Sequence, residues 1–275
     1  MLTRRFLMAA AFVVACFGAQ CLAPAKVYAA EDVDVALVLA ADVSRSITND
    51  EFQLQRQGYA SGITSPAVIR AIRAGTHGVI ALTYFEWSGP GEQQIVVDWQ
   101  IIRDDASAKT FADTLLEAPR SFYGRTSISA ALDFAIARLK EAGVKADKQI
   151  IDVSGDGTNN GGRPLPDARS DALATGVTIN GVAIINERGD LYGGFSGHTN
   201  PPGGLPNWYR DNVTGGPGSF LLVANDFESF GEAMSNKLLN EVAGLRPTGI
   251  PAFGVASKHA ALEKERHVMA AIDAR

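Results

Sequence analysis

The sequence predicts an α/β protein with a doubly wound, mostly parallel six-stranded sheet, one antiparallel edge hairpin and helices on both faces. Two observations predict this class. Apolar, β-prone runs alternate along the chain with segments of helical periodicity, which is the pattern of successive βαβ units. The first run, residues 33–40, is apolar almost throughout, as is typical of a strand that is buried on both faces of a parallel sheet.

The composition is that of a globular protein and excludes a disordered or fibrous chain. The 275 residues are 46% hydrophobic and 20% charged, which is enough apolar material for a sizeable core. The formal net charge is −5. The molecule as a whole therefore has no electrostatic attraction for nucleic acid or for an anionic membrane surface.

The first 29 residues have the features of a bacterial secretory signal. Arg4 and Arg5 precede an apolar stretch, small residues follow as far as Ala29, and the segment contains no acidic residue. We expect cleavage after Ala29 and a periplasmic or secreted protein, with an uncleaved N-terminal anchor as the alternative. Both Sec and twin-arginine export stay open. No later apolar run is long enough to span a bilayer.

The first strand runs into a short loop and a well-marked helix start. The apolar run stops at Asp42, and Thr48 with Glu51 forms a predicted capping box. Acidic residues in the first turn suit the positive end of the helix dipole. Strand, short loop and helix together form the beginning of a βαβ unit.

The remaining elements continue the alternation. A Gly-Pro-Gly turn joins the strand at 78–87 to the alternating segment 95–99, which predicts the edge hairpin. Further strands are predicted at 149–154, 177–184 and 219–224, and helices at 104–117, 127–142, 165–174 and after a cap at Asp226. Asp152 lies inside an apolar strand, where a carboxylate needs a partner or a proton, so we expect a structural role for it.

Two segments differ from this pattern. Residues 186–219 contain 9 of the 28 glycines and 4 of the 12 prolines, which predicts a long irregular loop, either ordered on the surface or mobile. Residues 246–275 are interpreted as a linker followed by a charged helix or tail. The globular domain is therefore expected to span residues 30–245.

Three oxygen-rich loops are expected to meet at one edge of the sheet, because ligands of open α/β sheets bind beyond the carboxyl ends of the strands. Two carboxylates and three hydroxyls without histidine or cysteine favour Mg²⁺, with Mn²⁺ or Ca²⁺ as alternatives. Each motif alone is common, since a hydroxyl before a helix is often only a cap and Asp-Gly is often only a turn. The predicted metal ligands are Asp42, Ser44, Ser46, Thr126 and Asp156.

These motifs resemble the metal-ion-dependent adhesion site of von Willebrand factor type A domains. The resemblance rests on Asp-x-Ser-x-Ser after the first strand, Gly-x-Thr before a helix and Asp-Gly after a later strand, and it covers about residues 33–243. Within this class of domains, the sequence is most similar to exported bacterial proteins whose role is uncharacterised. The resemblance implies a Rossmann-like fold and a bound divalent cation whose open coordination position takes an acidic residue of a protein partner. The chain departs from better-known members in reading Ser-Gly-Asp-Gly around Asp156 and in its glycine-rich loop.

The sequence thus favours an exported, metal-dependent protein-binding module that is not an enzyme. Its partner would be a protein that presents an Asp or Glu, and the candidate contact residues are Glu86, Trp87, Trp208, Tyr209 and Arg210. A metal-dependent phosphoester hydrolase and a structural or sensory subunit without exchangeable ligand are the alternatives. The four histidines are scattered and have no metal-ligand spacing. The sequence defines neither the partner, the biological process nor the oligomeric state.

Overall fold

The computed structural model describes residues 30–185, 196–227 and 229–244. The predicted signal segment at 1–29 and the predicted linker and tail at 246–275 lie outside these residues. The strands are β1 (Glu31–Asp42), β2 (Ile80–Trp87), β3 (Gln93–Ile102), β4 (Val144–Gly155), β5 (Thr178–Ile184) and β6 (Leu221–Ala224). The helices are α1 (Asn49–Ile63), α2 (Pro66–Arg73), α3 (Asp105–Glu117), α4 (Ile128–Lys140), α5 (Leu165–Ala174), α6 (Ser196–Thr199), α7 (Leu205–Asn212) and α8 (Phe230–Ala243).

The six strands form one sheet in the order β3-β2-β1-β4-β5-β6. All neighbouring pairs are parallel except β2 and β3, which form the antiparallel edge hairpin. The predicted fold class is therefore confirmed. Strand order reverses between β1 and β4, so the loops that follow these two strands leave the sheet side by side. This reversal is the position where open α/β sheets bind ligands.

Side chains of β1 alternate between two cores because successive residues of a strand point to opposite faces. Leu37 and Leu39 pack in one core with residues of α1, α2, α3 and α8. Val38 and Ala40 pack in the other with residues of α4, α5 and α7. Burial on both faces explains why the first strand is almost continuously apolar, and it places helices on both sides of the sheet.

The predicted capping box at the start of α1 is confirmed. The backbone amide of Glu51 donates to Thr48 Oγ1 at 3.3 Å, and the backbone amide of Thr48 donates to Glu51 Oε2 at 2.8 Å. The final helix begins later than predicted. Ser229 is its N-cap residue, while Asp226 accepts a hydrogen bond from the Ser229 amide one turn earlier, at 2.7 Å.

Two helical regions were not predicted. Helix α2 has Pro66 at its start and buries Val68, Ile69 and Ile72 at helical spacing. With only eight residues, it is too short for this periodicity to be recognised in the sequence. The segment predicted as irregular, 186–219, contains α6 and α7 in its described part. Proline in the first turn of α7 is compatible with a helix because that position donates no intrahelical hydrogen bond. None of the helices in the described ranges combines the length and hydropathy that a membrane span requires.

Candidate metal-ion site

The three predicted motifs meet at the strand-order reversal. Asp42 is the last residue of β1, Asp156 directly follows β4, and Thr126 lies two residues before α4. The parallel pairing of β1 with β4 brings their carboxyl ends to the same edge, with Ala41 opposite Ser154. Local strand and helix signals are therefore sufficient to bring together side chains that are more than 100 residues apart.

A chain of contacts connects four of the five predicted ligands. Ser46 Oγ donates to Asp156 Oδ1 at 2.8 Å, and Ser46 Oγ lies 3.1 Å from Ser44 Oγ. Thr126 Oγ1 donates to Ser44 Oγ at 3.2 Å. The fifth, Asp42, accepts the Ser44 amide at 2.7 Å through Oδ1. The structure thus brings all five side chains together, as the sequence predicts.

The oxygen spacings suit a small octahedral cation. Adjacent ligands around an ion with bonds of about 2.1 Å are separated by about 3.0 Å, and the three hydroxyl and carboxylate contacts fall between 2.8 and 3.2 Å. Asp42 Oδ2 is buried and has no hydrogen-bond partner among the described residues. A buried carboxylate oxygen in that state is costly, and a cation would satisfy it.

The charge at this edge is also unbalanced. Asp42 and Asp156 are both fully buried. Burial, and then the nearby charge of Asp156, raise the pKa of the Asp42 carboxyl well above its usual value, although the Ser44 amide opposes the shift. A bound divalent cation would reverse this penalty because it attracts both carboxylates.

Arg120 and Asn160 position the loops. Sequence reasoning did not identify the role of Arg120, and it preferred turn formation over loop positioning for Asn160. Arg120 Nη2 donates to the carbonyls of Val43 and Ser44 at 2.8 and 2.9 Å. Asn160 Oδ1 accepts the Thr126 amide at 2.9 Å, and the Asn160 amide donates to the Thr126 carbonyl at 2.8 Å. The loop after β4 is thereby fastened to the loop before α4.

His198 is a further site residue that the sequence analysis missed. Its Nε2 lies 3.0 Å from Thr126 Oγ1, and its Nδ1 lies 2.9 Å from Thr158 Oγ1. Burial, followed by the charges of Arg45 and Arg125, lowers the pKa of His198 below its usual value. No sequence signal marks this residue, since it lies 42 positions beyond Asp156 in the glycine-rich segment.

The candidate contact residues are wrong in three cases. Glu86 is fully buried and accepts hydrogen bonds from Arg56 Nε at 2.9 Å and from the Ser121 amide at 2.9 Å. Trp87 is fully buried in the core, and Tyr209 is fully buried behind the site. Side chains without exposed surface cannot contact a partner.

Trp208 and Arg210 have different positions. Trp208 is half-buried and packs against the core, whereas Arg210 is exposed and donates to Asp211 Oδ1 at 2.9 Å. Their role in partner binding stays a prediction.

The close approach of Tyr209 and Asp42 leaves room only for a glycine at position 155. A Cβ on Gly155 would lie 2.6 Å from Tyr209 Oη and 2.9 Å from Asp42 Oδ2. Burial, together with Asp42 and Asp156, raises the pKa of the Tyr209 hydroxyl well above its usual value. Helix α7 therefore packs directly against the carboxylate side of the site.

Asp152 has the structural role that its apolar strand predicts. Lys237 Nζ of α8 lies 2.9 Å from Asp152 Oδ1 and also pairs with Glu241 Oε1. Asn180 Nδ2 donates to the same Glu241 oxygen at 2.8 Å. Burial raises the pKa of Asp152 to about 7, although Lys237 opposes the shift. This cluster links α8 to β4 and β5 beside a cavity of about 580 Å³.

A second group of possible ligand atoms lies near the amino-terminal ends of β1 and β4. One ligand atom from each of Asp34, His77 and Asp147 lies within 4.8 Å of the others. Both Asp34 oxygens already accept backbone amides, those of His77 and Gly78, at 2.9 Å each. These residues do not share the site at the carboxyl edge.

A protein-family model described as "Protein of unknown function (DUF1194)" matches residues 32–246. The chain belongs to this family. The match includes all six strands of this DUF1194 member, except for Glu31 at the start of β1, and all five predicted ligands. No curated protein matches the sequence.

Solved structures resemble this DUF1194 chain in fold. Proximal thread matrix protein 1 from the mussel byssus, "with zinc occupied MIDAS motif", aligns at 16% identity and a TM-score of 0.52, covering 78% of this chain and 49% of its own. The pilus adhesin SpaC from Lactobacillus rhamnosus GG aligns at 16% identity and a TM-score of 0.54, covering 76% and 30% respectively. The chain thus spans half or less of these proteins. The likeness shows a von Willebrand factor type A-like fold.

Proposed function

We propose that this chain is an exported protein-binding module that depends on a divalent cation. The observation that carries the proposal is the convergence of five oxygen-bearing side chains at the strand-order reversal, where four are buried and Ser46 is partly exposed. The Asp42 Oδ2 oxygen there has no hydrogen-bond partner among the described residues. Asp42, Ser44, Ser46, Thr126 and Asp156 would hold the cation. What a bound cation supplies is an attraction for a carboxylate oxygen of a protein partner.

The residues around the site keep the ligands in place. Arg120 and Asn160 fix the two flanking loops, and the packing of Tyr209 against Gly155 fixes the end of β4. Because these groups are held before any ligand arrives, little ordering entropy opposes binding. Two structural neighbours support an adhesion-type function. One is described as a pilus adhesin, and the other as a byssal matrix protein with a zinc-occupied MIDAS motif.

The proposal is tested by metal binding and then by partner capture. Purified protein is titrated with Mg²⁺, Mn²⁺ and Ca²⁺ during thermal melting, and a cation at a hundred times its Kd should add about 2.7 kcal/mol to the free energy of unfolding. Asp156→Asn should abolish the gain, whereas the control Asp113→Asn, on the exposed face of α3, should keep it. Unchanged melting of the parent protein in all three cations would reject the site.

Partner capture then tests the adhesion function itself. The chain is immobilised and exposed to an extracytoplasmic extract with the cation or with EDTA. A partner that is retained only with the cation, and not by the Asp156→Asn variant, is expected. Equal retention under all conditions would reject metal-mediated binding.

Metal-assisted phosphoester hydrolysis is a second candidate, and one observation favours it. The hydrolase alternative requires a group that can protonate the leaving group, and His198 lies 3.0 Å from Thr126 Oγ1. Turnover of p-nitrophenyl phosphate with Mg²⁺, Mn²⁺ or Zn²⁺ tests it. Turnover that His198→Ala abolishes would favour the enzyme over the binding module.

A further inference from the structure

The imidazole of His198 lies against two parts of the candidate metal-ion site at once. Its Nε2 is 3.0 Å from the hydroxyl oxygen of Thr126, one of the five predicted ligands. The same nitrogen would lie 2.4 Å from a Cβ placed on Gly157, so the ring packs closely on the backbone that directly follows Asp156. His198 thus brings a nitrogen ligand atom to the three ligand-bearing loops, and the resemblance to adhesion-site motifs does not include it.

The hydrogen-bond network around His198 accommodates both tautomers of the ring. The Thr126 amide donates to Asn160 Oδ1 at 2.9 Å, and this fixes the orientation of the Asn160 side-chain amide. Asn160 Nδ2 then faces His198 Nε2 at 3.2 Å. An amide nitrogen can only donate, so this contact fits an unprotonated Nε2, whereas Thr126 Oγ1, whose one hydrogen goes to Ser44 Oγ, accepts a hydrogen from a protonated Nε2. A cation at Nε2 would select the first of these two tautomers.

The other ring nitrogen is arranged as in a metal-bound histidine. When Nε2 binds a cation, Nδ1 carries the hydrogen, and the hydroxyl oxygen of Thr158, 2.9 Å away, can accept it. The Thr158 amide in turn donates to the His198 carbonyl at 3.0 Å. Metal-ligating histidines almost always donate their second ring N–H to such a partner, which sets the tautomer and the ring orientation.

The separation of the two donor atoms also suits a shared ion. Adjacent ligands at about 2.1 Å from an ion lie about 3.0 Å apart, which matches the distance from His198 Nε2 to Thr126 Oγ1. We propose that His198 is a further protein ligand of the cation, through Nε2, beside the hydroxyls of Ser44, Ser46 and Thr126, and that it shifts the preference of the site from Mg²⁺ towards Zn²⁺. Asp42 and Asp156 would then act through water, so that a position stays open for the partner carboxylate. This inference rests on the proposed function, because it needs the oxygen ligands to hold a cation at all.

The shift in preference follows from ligand chemistry. Mg²⁺ favours carboxylate, hydroxyl and water oxygens and gains little from an imidazole, whereas imidazole nitrogen is a preferred ligand of Zn²⁺. A mixed nitrogen and oxygen set therefore discriminates between the two metals, and removal of the nitrogen should affect them unequally.

Calorimetric titration of the full chain with Zn²⁺ and with Mg²⁺ tests this inference. Asp34, His77 and Asp147 offer another place for Zn²⁺, so every measurement uses a His77→Ala parent. In that parent, His198→Gln should lower Zn²⁺ affinity about tenfold or more and leave Mg²⁺ affinity within about threefold. Thr158→Ala, which removes only the partner of Nδ1, should weaken Zn²⁺ binding less than His198→Gln does.

A second measurement needs no substitution at His198. In ¹⁵N-labelled His77→Ala protein, Zn²⁺ should shift the ring Nε2 resonance of His198 and leave its Nδ1 in the protonated form. An Nε2 resonance that does not respond to Zn²⁺ would overturn the inference. It would also be overturned if His198→Gln lowered the affinities for Zn²⁺ and Mg²⁺ equally, or lowered neither. If the parent binds neither metal, the proposed function fails together with it; if Mg²⁺ binds and His198→Gln changes nothing, only the role of His198 fails.

Discussion

Individual residues at the carboxyl edge of the sheet differ in whether their position there can be derived from neighbours in sequence. Asp42, Ser44 and Ser46 were predictable because they lie in one turn directly after a strand, and Thr126 and Asp156 because each adjoins an element with clear signals. Glu86 was not, because β2 is buried along its entire length. Its partner Arg56 lies 30 residues earlier on α1, and no alternation in β2 distinguishes a solvent-facing position.

The buried pair of Arg56 and Glu86 makes a prediction about stability without metal. Removing one partner of a buried ion pair leaves an uncompensated charge and typically costs about 3–5 kcal/mol. We therefore expect Glu86→Gln to lower the free energy of unfolding by about 3 kcal/mol or more in urea denaturation. Metal affinity of the folded variant should stay unchanged. The exposed control Glu117→Gln should change stability by less than about 0.5 kcal/mol, and a similar effect of both variants would contradict the buried role of Glu86.

Asp152 makes a prediction about pH. Its pKa is about 7 in the folded protein and about 3.9 in an unfolded chain, so the folded state binds this proton more tightly. Its contribution to stability is therefore present below about pH 4 and is lost as pH rises to about 7. Asp152→Asn removes this dependence, so the stability of the variant should rise relative to the parent between pH 4.5 and pH 7.5 in urea titrations. A constant difference across that range would contradict the raised pKa.

At the scale of elements, the strands and the helices with caps were predictable, and the packing of α6 and α7 was not. The signals for β1, β4 and the start of α1 are local, since they consist of apolar runs and a capping box. The 186–219 segment has composition typical of a loop, yet α7 carries Tyr209 against the site. The position of α7 depends on contacts with the end of β4 and with β5 rather than on its own sequence. The position of His198 likewise depends on distant residues, those of the loops around Thr126 and Thr158.

The contact between α7 and the end of β4 can be tested with Gly155. Gly155→Ala places a methyl group 2.6 Å from Tyr209 Oη and 2.9 Å from Asp42 Oδ2, so it should displace both the helix and a predicted ligand. We expect a loss of stability of about 1–3 kcal/mol, together with weaker metal binding.

Tyr209→Phe removes the oxygen that the new methyl group would meet first. The double variant should therefore recover part of the stability lost in Gly155→Ala, as measured by a double-mutant cycle. Additive effects of the two substitutions would mean that α7 does not press on this strand end.

At the scale of the whole molecule, the net negative charge of the protein disfavours binding of the acidic partner that the site is proposed to recognise. The formal net charge is −5, so long-range electrostatics repel an acidic partner. Attraction must then come from the cation alone, at short range. Raising the salt concentration from about 50 to about 300 mM shortens the Debye length from about 14 to about 6 Å. This change should leave partner binding equal or stronger, while EDTA abolishes it. Binding that high salt weakens and EDTA spares would indicate a different interface.

The most direct measurement of the central claim is a crystal structure of the protein grown with Mn²⁺, with anomalous diffraction data to locate the ion. The account predicts an anomalous peak about 2.0–2.3 Å from Ser44 Oγ, Ser46 Oγ and Thr126 Oγ1. A structure with these three hydroxyls bonded only to one another, and with manganese elsewhere or nowhere, would contradict it.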